Sequence, residues 1–290
     1  MADYLIYTDS TTDLTPELAA RAGVEIIPME FTINDTTYRN FPDNRDLDPH
    51  EFYEYLRAGK GATTSLINVD RYLSIFEPVL QAGNDVLYIA FSSGLSGSYN
   101  CAAIAVEDLA KKYPERTIIA VDSRAASMGE GLLVYNAAMQ REKGLSIEEL
   151  AKWVENNRNN LCHWFTVDSL DHLHRGGRVS ATAAFFGGML NIKPVLHVDD
   201  EGHLVPMQKV RGRKASLDAL LSEMEKTVVD PASQTVFVSH GDSAEDCSYV
   251  VEQVKTRFGV KEVYTGYIGP VIGAHSGPGT IALFFMGSHK

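Results

Sequence analysis

Residues 85–98, DVLYIAFSSGLSGS, decide the fold. Asp85 to Phe91 is an almost unbroken apolar run, as expected of a strand covered on both faces. Ser92 to Ser98 supplies small, turn-forming residues, and from Ser98 to Lys112 the apolar positions recur with a helical period. A buried strand, a Gly/Ser loop and a helix in that order form one βα unit of a parallel sheet. Open α/β sheets bind ligands beyond the carboxyl ends of their strands, and the free N–H groups at a helix start favour anions. The loop is therefore a candidate anion site, with Ser93 and Ser96 as its donors and Ser92 and Gly94 as further candidates.

Working outward, the same alternation fills the first half of the chain. Tyr4 to Thr8 is a short β-rich run, and Pro16 to Ala22 a helix opened by proline near its first turn. Val24 to Phe31 is β-branched and apolar around Pro28, and 34–50 is polar and turn-rich. Helical patterns follow at 51–57, 69–81, 125–143 and 146–156, with a buried strand at 117–121. Past Leu161 the character changes. Strands at 192–198 and 204–210 flank Asp199-Asp200-Glu201-Gly202, a good hairpin turn. Helices near 214–227 and 244–257 alternate with strands at 235–239 and 262–266. A glycine-rich loop at 268–279 leads into the apolar strand Ile281 to Met286. The reading is an N-terminal α/β domain with a mostly parallel sheet over 1–161 and a C-terminal α+β domain over 162–290.

Composition narrows the function. The 290 residues carry 38 acidic and 26 basic side chains, a net charge of -12, which suits a phosphodiester backbone poorly while leaving room for a small local basic patch. The 3 cysteines form no CxxC, so no disulfide framework or thiolate zinc site is expected. The N-terminus lacks the features of a signal peptide, and no run approaches the ~18 apolar residues of a membrane span; a cytoplasmic protein is expected. Neither GxxxxGK[ST] nor a GxGxxG after the first strand is present, and there is no GxSxG elbow. His163, His172 and His174 lie near Asp168 and Asp171, but positions i and i+2 do not share a helix face, so no metal site is read there. No cofactor is expected.

Three further segments bear on chemistry. Thr63-Thr64-Ser65 places three hydroxyls just ahead of a helix, which suits an N-cap as well as ligand donors at Thr64 and Ser65. Leu173 to Val179 contains paired glycines beside Arg178, whose guanidinium can fork around an oxyanion. Ile268 to Gly279 embeds His275 and Ser276 among glycines and prolines; a neutral His275 can donate one hydrogen bond and a protonated one, near its ordinary pKa of about 6.5, would add charge. The run Lys209, Arg211, Arg213, Lys214 concentrates cations on an acidic chain and is expected to face solvent as a docking edge.

Together these segments resemble the DegV family, whose members include the bacterial fatty-acid-binding proteins called FakB. The resemblance runs through TDSTTDL at 8–14, TTS at 63–65, SSGLSGSY at 92–99, VDS at 121–123, RGGRVS at 175–180, LNIKPVL at 190–196, KVRGRKAS at 209–216 and IGPVIGAHSGPG at 268–279. The chain departs from the usual family pattern at Leu66-Ile67-Asn68, Ser98 and Asn100. The resemblance implies a three-layer N-terminal domain, a C-terminal α+β domain, and a tunnel between them for one long-chain fatty acid. It also implies a carrier, not a catalyst, which presents the acyl carboxylate to a FakA-like kinase and touches a membrane surface at most transiently. Thr64, Ser65, Ser93, Ser96 and His275 would hold the carboxylate, and Lys209, Arg211 and Arg213 would meet the kinase. Ala183 to Phe186, Met189, Ile192 and Phe284 are candidate tunnel residues. Two rivals use the same residues: a phosphotransferase or hydrolase with Ser93 as nucleophile and His275 as base, and a regulator acting through the basic edge.

Overall fold

Three sheets organise the protein, a computed structural model that describes residues 4–180 and 191–290. The chain opens with β1 (Tyr4–Asp9), α1 (Pro16–Ala22), β2 (Val24–Ile27), β3 (Met29–Ile33), β4 (Thr36–Asn40), α2 (Pro49–Arg57), β5 (Ala62–Ser65), α3 (Val69–Gln81), β6 (Asp85–Ala90), α4 (Ser98–Lys112) and β7 (Ile118–Asp122). It continues with α5 (Ser127–Glu142), α6 (Ile147–Asn157), β8 (Leu161–Thr166), α7 (Asp171–Arg175), β9 (Ile192–Val198), β10 (Leu204–Arg211), α8 (Arg213–Thr227), β11 (Thr235–His240), α9 (Ala244–Phe258), β12 (Glu262–Tyr267), α10 (Pro270–Ser276) and β13 (Ile281–Met286).

The first sheet has the order β2-β1-β6-β7, all parallel. β6 lies inside it and is buried on both faces after Asp85, which is why its sequence does not alternate. One connection from β1 runs outward to β2, while β6 runs the other way to β7, so the strand order reverses between β1 and β6. Loops at such a switch point diverge and leave a crevice. The register Tyr7↔Tyr88 and Ala90↔Asp122 brings the carboxyl ends of β1, β6 and β7 to one edge. The 91–97 loop starts there.

A small antiparallel sheet, β4-β3-β5, sits beside the first. It corrects two expectations. Residues 63–65 form a strand, with Thr64 opposite Phe31, and the cap of α3 is Asn68, whose Oδ1 accepts from the Arg71 amide at 2.9 Å. The polar stretch after 33 contains β4, turned on Asn34 and Asp35, both at positive φ. Two such residues in succession match the twist of a hairpin, and Asn and Asp tolerate them. Pro28 separates β2 from β3, so the run read as one element serves two sheets.

The third sheet has the order β10-β9-β8-β13-β11-β12, antiparallel except for β11 and β12, which α9 connects. Among the described residues, every strand of this sheet begins at Leu161 or later. Helices α8 and α9 cover one face, with Leu217, Leu220, Met224, Val250 and Val254 in its core. The other face meets α5, which packs on β8, β11 and β13 and also on α1 and α6. Ile6, Leu87, Leu132, Phe165, Phe237 and Phe284 therefore share one core. Gly129 permits this approach: a Cβ there would lie 2.2 Å from His163 Nε2 and 2.7 Å from the Phe284 ring. Tyr72, Phe76, Tyr88 and Ala105 fill the opposite face of the first sheet, completing three layers. The stretch 268–279, expected as a loop, contains α10, with Pro270 at its first turn and Gly277 after its last. Among the described residues, no helix is long and apolar enough to cross a membrane.

Candidate functional site

A cavity of about 430 Å³ lies between the third sheet on one side and β3, β5 and the loop after β6 on the other, within the usual ~300–1,000 Å³ of small-molecule sites. Phe165, Leu173, Val198, Leu204, Val271, Ala282 and Phe284 give it apolar walls. Thr64, Ser65, Ser93, Ser96, Arg178, His275 and Ser276 also line it. Four separate stretches meet there: β5, the loop after β6, the segment after α7, and the end of α10.

α10 delivers His275 to Thr64. Their Oγ1 and Nε2 lie 2.9 Å apart. The other ring nitrogen is buried and without a partner, packed where a Cβ on Gly176 would stand 2.3 Å away. Burial, and then the charges of Arg178 and His172, push the His275 pKa down to about 4. His275 is thus a neutral imidazole at ordinary pH, which corrects the expectation that it gains charge near 6.5. Arg178 is anchored through Nε to the Leu95 carbonyl at 3.2 Å and through NH1 to the Gly176 carbonyl. The Ser276 hydroxyl is buried without a partner.

Ser93 is engaged differently from the expectation. Its amide and hydroxyl donate to the two oxygens of Asp122, at 3.1 and 2.6 Å. Ser96 Oγ lies 3.0 Å from Ser98 Oγ. Ser92 and Gly94 are not among the lining residues. Ser92 donates to the Gly202 carbonyl at 2.8 Å, and a Cβ on Gly94 would stand 3.0 Å from the same carbonyl group, so both residues seat the β9–β10 hairpin turn. That contact explains their small size without a ligand.

Other lining residues carried no signal in the sequence. Ser127, at φ 53, donates to Asp13 at 2.5 Å, and the Asp13 carboxyl also accepts from the Gly269 amide at 2.9 Å. Burial raises Asp13 to about 8, with the charge of Asp9 adding to the shift. Deeper still, burial raises both Asp9 and Glu130, and the two share Thr11: its hydroxyl lies 2.5 Å from one and 2.7 Å from the other. One hydroxyl proton cannot serve two acceptors, so a carboxyl proton is held in this network. Of the expected tunnel residues, Phe284 lines the cavity and Ile192 does not, while Ala183 to Phe186 and Met189 lie outside the described residues.

The basic run divides. Arg211 and Lys209 are exposed, and Lys209 has an interaction partner. Arg213 is not a free edge residue: its Nε donates to Asp246 at 2.8 Å and its NH2 to the Gly279 carbonyl, tying α8 to α9 and to the loop before β13. Lys214 reaches Asp218 at 2.9 Å and the Tyr249 hydroxyl at 2.7 Å. Among the described residues, one His/acid trio has metal-holding spacing, His50, Glu54 and Asp242. It is outside the cavity lining, and Arg57 already occupies the same Asp242 oxygen.

A two-part α/β architecture with an apolar cavity closed by hydroxyls, Arg178 and the neutral imidazoles of His163 and His275 defines a binding protein for a largely apolar molecule with a polar end. The chain belongs to the DegV family: the model of that family, described as "Uncharacterised protein, DegV family", matches residues 4–288. A DegV domain-containing protein of Clostridium perfringens is 46% identical over 290 residues, covering 100% of this chain and 99% of the relative. In structure the chain is similar to a fatty-acid-binding DegV family protein from Thermus thermophilus, with TM-score 0.87, 28% identity, and coverage of 97% and 98%. Its fold is also that of the Streptococcus pneumoniae fatty acid kinase B3 protein loaded with linoleic acid, at TM-score 0.84, 22% identity and 99% coverage of each chain.

Proposed function

We propose that this protein holds one long-chain fatty acid in the 430 Å³ cavity and presents its carboxyl group to a partner kinase for acyl-phosphate formation. The observation that carries the reading is the division of the cavity wall: aromatic and aliphatic side chains of the third sheet, α7 and α10, against a small group of hydroxyls with Arg178 and His275. Thr64, Ser65, Ser93, Ser96, His275, Arg178 and Ser276 are the carboxyl-side residues. A tail of about fourteen methylenes at ~0.8 kcal/mol each yields roughly 11 kcal/mol gross, reduced by ordering and association costs. The fatty-acid-binding relative from Thermus thermophilus supports the ligand class. The kinase partner is supported by the family resemblance and by the shared fold of the Streptococcus pneumoniae protein. Arg211 is the exposed cation of the basic run best placed to meet such a partner.

The geometry weighs against Ser93 and His275 as nucleophile and base. That chemistry needs the imidazole on the serine hydroxyl. Here the imidazole meets Thr64, and the serine proton goes to Asp122. The test is to purify the full chain, denature it, extract with organic solvent and measure lipid by mass spectrometry. About one fatty acid per chain is expected, converted to an acyl phosphate when a cognate kinase and ATP are added. Absence of lipid, with no uptake of added palmitate or oleate, would overturn the reading.

A further inference from the structure

Asp122 ends β7, next to Ala90 in the register, and so faces the loop that leaves β6. It is 7% exposed, and it accepts three hydrogen bonds: from the Ser93 amide at 3.1 Å, the Ser93 hydroxyl at 2.6 Å and the Arg124 amide at 2.9 Å. Asp122 itself is not a lining residue; Ser93 is. A serine hydroxyl has one proton to give and two lone pairs. With that proton on Asp122, Ser93 turns only lone pairs to the cavity. An ionised carboxylate also has only lone pairs to offer, so the two oxygens would meet without a hydrogen between them. The group that satisfies Ser93 must bring a proton.

Resting on the carboxyl-site reading above, we propose that Asp122 is a positioning residue: it fixes Ser93 as an acceptor, and the fatty acid is held as the neutral acid, its O–H directed at Ser93. Ligand binding then takes up a proton from solution between the pH at which the free fatty acid ionises and the higher pH at which the bound one does. The charged and titratable groups around the pair are Arg158, whose NH1 donates to the Asp122 carbonyl at 2.8 Å, Arg124, Tyr99 on α4, and Lys290, held by the carbonyls of Arg124 and Asp199 at 2.8 and 3.0 Å. On the cavity side stand Arg178, His275, the buried and neutral His163 and, behind the His275 imidazole, His172. Arg178 acts on a bound carboxyl in every variant alike, so a comparison between variants isolates Asp122.

The experiment loads the full chain with palmitic acid labelled with ¹³C at the carboxyl carbon and follows that carbon by NMR from pH 4 to 9. In Asp122→Asn the new amide keeps the acceptor oxygen for the loop and can donate to Ser93 Oγ, which frees the Ser93 proton for the ligand. The bound carboxyl of the wild type should titrate at least about one pH unit above that of Asp122→Asn, a tenfold difference in proton affinity. Ser93→Ala, which removes the acceptor outright and leaves Asp122 in place, should lower the midpoint as well and provides the comparison if Asp122→Asn does not fold. Uptake of palmitate with equal midpoints in wild type and variants would overturn this inference alone. No uptake by the wild type would overturn the carboxyl-site reading, and this inference with it.

Discussion

The Thr64 hydroxyl and the His275 Nε2 lie 2.9 Å apart across 211 residues of sequence, and this bond joins the small sheet to α10. It commits one nitrogen of an imidazole whose other nitrogen has no partner. Since burial and nearby cations hold the His275 pKa at about 4, the folded protein binds fewer protons here than the unfolded chain between about pH 4 and 6.5. The His275 contribution to stability is therefore present above about 6.5 and is lost as pH falls toward 4. His275→Ala should weaken fatty-acid retention by up to about tenfold, the scale of one neutral hydrogen bond. The loss should be the same at pH 6 and pH 8, measured by displacement of a fluorescent fatty acid. A loss confined to low pH would mean that the charged ring is the working form.

Gly176→Ala tests the same ring from its other side. The added Cβ would stand 2.3 Å from Nδ1, so the imidazole must leave its place beside Thr64. The backbone at Gly176 has φ -73, which alanine accepts. Retention should fall up to about tenfold, the scale of one lost hydrogen bond, with little change in the thermal melt. Normal retention would show that the ring position is not needed.

Asp13 makes a prediction of opposite sign to His275. Its carboxyl is raised to about 8, so the folded state holds a proton that the unfolded chain releases near 4. Stability from this group is full below about pH 4 and declines as pH rises toward 8. Asp13→Asn mimics the protonated acid, and asparagine tolerates the φ of 51 found there. Melting temperatures of the variant should gain on those of the wild type steadily from pH 5 to 8. Parallel curves would mean that Asp13 is ionised in the fold.

Arg213 and Arg211 should separate cleanly. Arg213→Ala takes one donor from the Gly279 carbonyl and one from Asp246, which keeps the Ser243 hydroxyl, and should cost about 1–3 kcal/mol in denaturant unfolding. Arg211→Ala should leave stability and lipid content unchanged while lowering acyl-phosphate formation with a cognate kinase, more at low salt than at high. Equal kinase rates at every salt concentration would remove Arg211 from the docking surface.

What could be read in advance depended on how far each residue reaches. Asp85 to Phe91 announces itself as a buried strand because its neighbours on both faces demand apolar atoms at every position. Thr63 to Ser65 and Thr36 to Asn40 are polar strands on a small, half-exposed sheet, so no alternation betrays them. α10 was hidden by Gly273 and by glycines flanking its ends, although Pro270 before and Gly277 after it were a usable signal. The VDS at 121–123 was visible as a motif, yet nothing local tells that its aspartate would take the Ser93 proton 29 residues away. Arg213 looked like a surface cation because its partner, Asp246, lies 33 residues on.

α5 has one last consequence. It is inner wall to both the four-stranded and the six-stranded sheet, and no second layer of side chains separates its two faces into private cores. Cutting the chain at residue 161 would not release two self-sufficient pieces. The first would display Leu132, Leu133 and Met128 to water, the second Phe165, Phe237 and Phe284. Calorimetry of the intact chain should thus record one transition rather than two, and the separately expressed halves should be insoluble until mixed.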